Sequence, residues 1–171
     1  TFLTSPSLAN GNSHYFHIRS KDNAGNWASN AAHLGPFYID NDPPASSITA
    51  PVAGSWQDVN FTVYPSDSDS GGSVLSACSY GVYSDDGAGG AWTVPLGTAR
   101  TCDSSFTVTV GPTGDCRNTG SNKCQVQIYS RDAAGSSSST AMRAFSIGFL
   151  AFPVGTWQRL WYTASGASPT F

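Results

Sequence analysis

"CQVQIYSRDAAG", residues 124–135, decides the fold class. Cys124, Val126, Ile128 and Ser130 fall on one parity, with Gln125, Gln127 and Tyr129 on the other. A period of two with one apolar side is the signature of a half-buried β-strand. The run breaks at Asp132-Ala133-Ala134-Gly135. An Asp there can accept backbone amides two or three residues on, and a Gly supplies the positive φ of a tight corner. The stretch is therefore a strand running into a hairpin corner. No helical period is sustained over a dozen residues anywhere else, so the whole chain is expected to be all-β.

The same string stands 110 positions earlier. In "HYFHIRS", residues 14–20, Phe16, Ile18 and Ser20 share a face, and Asp22-Asn23-Ala24-Gly25 follows. After a polar loop, each copy continues into a second strand, "GPFYID" (35–40) or "RAFSIG" (143–148), with Ile39 and Ile147 corresponding at an offset of 108. Asp22, Gly25, Asp132 and Gly135 are read as turn-capping residues, in preference to calcium ligands or catalytic carboxylates.

Between the copies lies "IDNDPP", residues 39–44, where Pro43 and Pro44 stiffen an extended connector that cannot join a central strand. The expected organisation is tandem β-sandwiches, one complete and one partial. Residues 1–40 form the C-terminal half of a first sandwich, with "TFLTSPSL", an Asn10-Gly11 hairpin turn and two corner strands. Residues 41–44 are the linker. Residues 45–147 form the complete sandwich, with seven strands around "SSITA", "DVNFTVYP", "LSACSYGVYS", "WTVPLG", "SSFTVTVG", "CQVQIYSRD" and "MRAFSI". Its expected core is Phe61, Val63, Tyr80, Val82, Phe106, Val108, Val126, Ile128, Phe145 and Ile147. Residues 148–171 are a strand-forming tail or the start of a further domain. A half sandwich exposes an apolar face and unpaired edges, so both fragments call for partners.

Composition narrows the function. Charged residues make up 11% of the chain, against roughly 25% in an ordinary soluble domain. The 8 Lys and Arg are scattered, so no nucleic-acid partner is expected. The longest apolar run, "IGFLAFPV" (147–154), has 8 residues where a membrane span needs about 20, so no membrane insertion is expected. Thr1 is not an initiator Met, and the chain is expected to be a processed product or a piece of something longer.

Four cysteines, Cys78, Cys102, Cys116 and Cys124, lie in one 47-residue window, with 23, 13 and 7 residues between successive members. Structural zinc favours at least one tight Cys-x(2–4)-Cys knuckle, so disulfides and an oxidising compartment are expected. No nucleophile elbow, zinc-protease helix or phosphate loop occurs, and "DDGAGGAW" (85–92) lacks the Lys and following helix of a P-loop. His14 and His17, three apart on a strand, fall on opposite faces. Enzymatic activity is not expected.

Four acidic residues invite a weaker reading. Asp67 and Asp69 in "SDSDSGGS" (66–73) stand beside a Gly pair, and Asp40 and Asp42 stand at the domain junction, where a shared calcium ion would stiffen the joint. The spaced ligands and terminal Glu of a calcium loop are missing, so the expectation is no cofactor, with calcium as the alternative. Asn60-Phe61-Thr62 is a glycosylation sequon. Trp56, Trp92, Trp157 and Trp161 can stack on sugar rings where exposed, the plainer role being core or interdomain packing.

Taken together, "YFHIRSKDNAGNWAS", "GPFYIDNDPP" and "VTVGPTGDCRNTGSNKCQVQIYSRDAAGSS" with "RAFSI" resemble the immunoglobulin-like and fibronectin type III-like repeats of large prokaryotic extracellular proteins. Two positions depart from the internal pattern: Ser136 stands for Asn26, and Gly148 for Asp40. Of the three connectivities open to four cysteines, Cys116–Cys124 across the "RNTGSNK" loop with Cys78–Cys102, whose members share the phases of Tyr80 and Phe106, is the expected one; a cross-sheet Cys124–Cys78 bond of the immunoglobulin kind is the alternative. The resemblance implies a non-enzymatic extracellular or cell-surface module, a stalk, spacer or filament subunit. Its partners would be neighbouring domains or copies of itself met through edge strands. A carbohydrate-binding adhesin module that meets surface glycans is the alternative.

Overall fold

The computed structural model describes residue 4 and residues 6–149. The tail expected beyond Phe149, with Trp157 and Trp161, lies outside the described residues. Ten strands are present among the described residues: β1 (Gly11–Ile18), β2 (Ala32–Ile39), β3 (Ala45–Ala50), β4 (Trp56–Gln57), β5 (Phe61–Ser68), β6 (Leu75–Ser84), β7 (Ala91–Arg100), β8 (Phe106–Val108), β9 (Gly120–Asp132) and β10 (Ala141–Ile147). Among them no helix is long and apolar enough to cross a membrane.

β1 and β2 form a two-stranded antiparallel sheet of their own. The other strands make a five-stranded sheet, β4-β10-β9-β6-β7, and a three-stranded sheet, β3-β5-β8. This division is that of an immunoglobulin-type Greek-key sandwich, in which the chain crosses between sheets at every connection from β3 on except the β6–β7 and β9–β10 hairpins. β4, two residues long, runs parallel to β10 as an added edge. The sequence pattern missed it because a strand this short carries no alternation to detect.

Period-two patterning accounts for the core. Along β9, Cys124, Val126, Ile128, Ser130 and Asp132 are all buried in alternation. Val82 of β6 and Phe145 and Ile147 of β10 flank them in the same sheet, and Phe61 and Val63 of β5 and Val108 of β8 face them across the sandwich, with the Phe61 and Phe145 rings 4.9 Å apart. Tyr80 and Phe106 are only partly buried against this cluster, while Ile48, Cys116 and Cys124 belong to it. Both disulfides close on this domain, Cys78–Cys102 at a sequence separation of 24 and Cys116–Cys124 at 8.

At one end of the sandwich the inward column turns polar. Asp67, on the inward parity of β5, accepts Arg100 Nη1 at 2.6 Å and Nη2 at 2.7 Å. It also accepts Ser46 Oγ at 2.7 Å, and Ser46 Oγ in turn lies 2.8 Å from Ser130 Oγ, whose hydroxyl is free to donate to it. Asp67 therefore sits inside a strand and not in a loop, correcting the expectation that β5 ends at Pro65.

The first unit differs from its expected outline. Among the described residues before β2 only β1 is a strand, and Asn10-Gly11 makes no hairpin turn. Asn10 instead reaches the linker: its Oδ1 accepts the Asn41 amide at 2.7 Å and its Nδ2 donates to Asp42 at 2.9 Å. The β1–β2 sheet leaves Phe16, Ile18, Leu34 and Tyr38 exposed, whereas the equivalent strands β9 and β10 bury Val126, Ile128, Phe145 and Ile147.

Candidate functional site

The two corners share one backbone design. In the first, Gly25 N donates to Asp22 O at 3.1 Å, Asn26 N donates to Asp22 Oδ1 at 2.8 Å, and Ala28 N donates to Ser20 O at 2.9 Å. In the second, Gly135 N and Ser136 N donate to Asp132 Oδ1 at 2.6 and 2.7 Å, and Ser138 N donates to Ser130 O at 2.9 Å. Gly25 and Gly135 hold φ of 96° and 99°, a region open to Gly and costly to other residues. Both Asp residues cap their turns.

The corners differ in what the second carboxylate oxygen meets. Asn26 Nδ2 donates to Asp22 Oδ2 at 3.1 Å, and the Asn26 amide and side chain hold the Asp22 carboxyl below the ordinary carboxylate range. Ser136 has no such reach, and Asp132 Oδ2 is buried without a hydrogen bond. Asp132 as a whole is 1% exposed.

Two further carboxylates converge on Asp132. Asp40 follows β2 at the head of the linker, and Asp69 follows β5. One oxygen from each of Asp40, Asp69 and Asp132 lies within 4.8 Å of the others. Asp69 Oδ1 is likewise buried without a hydrogen bond. Ser73 joins the group: its amide donates to Asp40 Oδ2 at 2.9 Å and its hydroxyl to Asp69 Oδ2 at 3.1 Å. The Ser73 hydroxyl and amide, with the Asp42 amide, hold Asp40 below the ordinary carboxylate range. None of the three carboxylates is in an ion pair among the described residues.

Gly71 makes this approach possible. A Cβ at that position would stand 1.6 Å from Asp40 Oδ1, so only Gly lets the linker carboxylate lie against the loop. Beside the three carboxylates opens a cleft of about 640 Å³, lined by Tyr38, Ile39 and Asp40 of the first unit and by Gly72, Val74 and Ala134 of the second.

Of the four acidic residues singled out in the sequence, Asp40 and Asp69 come together here. Asp67 is engaged with Arg100, and Asp42 with Asn10. Asp132 is more than the turn residue that its Asp-x-x-Gly string suggests; the inward parity of β9, continued two residues past Ser130, marks it as buried. Asn60 is exposed, and its Oδ1 accepts the Val110 amide at 2.8 Å. Trp56 and Trp92 are exposed on β4 and β7, the two opposite edges of the five-stranded sheet. His17 meets His33 across the β1–β2 pair through their Nδ1 atoms, while His14 Nε2 lies 2.9 Å from Ala9 O.

No protein-family model matches the chain, and no curated protein is similar to it. Among solved structures, one of Clostridium thermocellum CbhA fibronectin(III)-like modules is similar at 11% sequence identity, with a TM-score of 0.45, over 80% of this chain. The similarity spans 64% of that structure's chain, somewhat under two thirds of its length.

Proposed function

We propose that this chain is a non-enzymatic structural module of an extracellular or cell-surface protein, a spacer whose sandwich units are held in series at a fixed angle. The observation that carries the reading is the double clamp on the linker. Asn10 holds Asn41 and Asp42 from the first unit, while Ser73 holds Asp40 from the second. Pro44 is buried where the linker enters β3. Each clamp removes rotational freedom from a connector of a few residues, and two prolines restrict what is left. A joint of this kind transmits position along a shaft.

Two disulfides within one small domain fit an oxidising environment. The open edges of the β1–β2 sheet and its exposed apolar side chains fit addition of a strand from a neighbouring domain or a second copy. Assembly into a filament would follow if that strand came from the next chain. Small-angle X-ray scattering of the full chain tests the spacer reading. One rigid, elongated particle with a fixed spacing between the units is expected; a broad distribution of spacings overturns it.

The second reading is a glycan-binding module, favoured by the exposure of Trp56 at 64% and Trp92 at 41%. The two rings sit at opposite sheet edges and make no common platform, so each would bind alone. Glycan-array binding lost on Trp92→Ala supports this reading.

A further inference from the structure

The geometry points to a Ca²⁺ site at the joint, with Asp40, Asp69 and Asp132 as its protein ligands. Ca²⁺ takes oxygen ligands at 2.3–2.6 Å, so oxygens sharing one ion lie no more than about 5 Å apart. The three carboxylates meet that limit at 4.8 Å. Three like charges this close repel, and a cation among them removes the repulsion.

The second, independent observation is the pair of unpartnered oxygens. Asp132 is 1% exposed, its Oδ1 is committed to two amides, and its Oδ2 is buried without a donor. Asp69 repeats the pattern, with Oδ2 on Ser73 and Oδ1 buried without a donor. Buried carboxylate oxygens are ordinarily satisfied, because desolvating them is costly. The Asn26-to-Ser136 difference gives the sequence-level cause. In the first corner Asn26 Nδ2 fills the second oxygen of Asp22; in the second corner Ser leaves that oxygen free.

The donor set selects the metal. Carboxylates without His or Cys exclude the softer ions, and an irregular group completed by water suits Ca²⁺ better than the strict octahedron of Mg²⁺. The ion ties the head of the linker, through Asp40, to the loop after β5 and to the corner after β9. This role rests on the spacer reading above; the binding itself does not.

The test uses the full chain, stripped with chelator and titrated with CaCl₂ by calorimetry. One Ca²⁺ per chain is expected, with a Kd on the order of 0.1–1 mM, the range of extracellular modules. Asp69→Asn and Asp40→Asn should each weaken binding at least about tenfold, since each removes a charged ligand. Asp22→Asn, in the corner whose oxygens are already filled, should leave it unchanged. Ca²⁺ at ten times Kd should raise the unfolding temperature by about 5 °C in the parent and not in Asp69→Asn. Hydrogen exchange at residues 39–42 should slow on adding Ca²⁺. Absence of saturable binding up to about 10 mM overturns the site, as does an affinity unchanged from the parent in both ligand variants or displacement by equimolar Mg²⁺. Binding without slower exchange at 39–42 overturns the tie. A flexible particle in scattering together with intact binding would count against the spacer reading and leave the site standing.

Discussion

Arg100 grips Asp67 with both arms of its guanidinium, Nη1 to Oδ2 at 2.6 Å and Nη2 to Oδ1 at 2.7 Å, with side chains 4% and 0% exposed. The pair joins the last residue of β7, in the five-stranded sheet, to β5 in the three-stranded sheet. Asp67 receives two further donors, Ser46 Oγ and the Asp103 amide. Removing one partner strands a buried charge, which costs about 3–5 kcal/mol, whereas replacing both by apolar groups costs much less. Arg100→Met and Asp67→Val should each lower stability by that amount in urea unfolding. The double variant should be more stable than either single one; equal additivity would show that the two charges are independent.

Acid should expose the same pair. Burial raises the Asp67 carboxyl, but hydrogen bonds from Arg100, Asp103 and Ser46 outweigh it, leaving the folded group below its ordinary value of 3.8. A depressed folded pKa means that the unfolded state binds the proton more readily, so the stabilisation is present above the unfolded pKa. It is lost as pH falls through the folded value. Urea midpoints between pH 7 and pH 2 should therefore fall along an acid limb beginning near pH 4. The limb should be shallower in Asp67→Asn, with Asp22, Asp40, Asp85 and Asp86, all likewise lowered, supplying the remainder.

The two disulfides should differ in how they stabilise. Cys78–Cys102 closes the larger loop, and its removal should cost about 3 kcal/mol by the chain-entropy estimate. Cys116–Cys124 closes a smaller loop, yet both residues are fully buried in the core. Its replacement by a pair of Ser adds the cost of burying hydroxyls to the loss of the cross-link, whereas a pair of Ala adds only a small cavity. Thermal unfolding should rank Cys116→Ser/Cys124→Ser below Cys116→Ala/Cys124→Ala, and the 78/102 site should show little difference between Ser at the partly exposed Cys102 and Ala there.

Gly71→Ala should loosen the joint without unfolding the sandwich. The new methyl would occupy the place of Asp40 Oδ1, 1.6 Å away, and so must push the linker off Ser73. Amide exchange at Ser73 should speed up, and proteases should cut between residues 40 and 44, while the global unfolding midpoint moves little. Unchanged exchange at Ser73 would mean that the linker does not rest on this loop in solution.

The fold class was legible because burial in a two-sheet sandwich follows strand parity, and parity is written residue by residue. Cys124, Val126 and Ile128 announce β9, and Phe61 and Val63 announce β5, before any contact is known. The corner at Asp132 was legible for a similar reason: an Asp and a Gly three apart satisfy their turn locally, as Asp22 and Gly25 do. The partners of Asp67 and the meeting of Asp40, Asp69 and Asp132 were not legible. They come from the ends of β7 and β9, from the loop after β5 and from the head of the linker, separated by 33, 29 and 63 positions (Arg100 from Asp67, Asp69 from Asp40, Asp132 from Asp69). Only the stacking of the sheets and the seating of the linker against Gly71 bring those carboxylates within reach of one another, because electrostatic contact depends on distance in space and a chain's local pattern carries none of that distance.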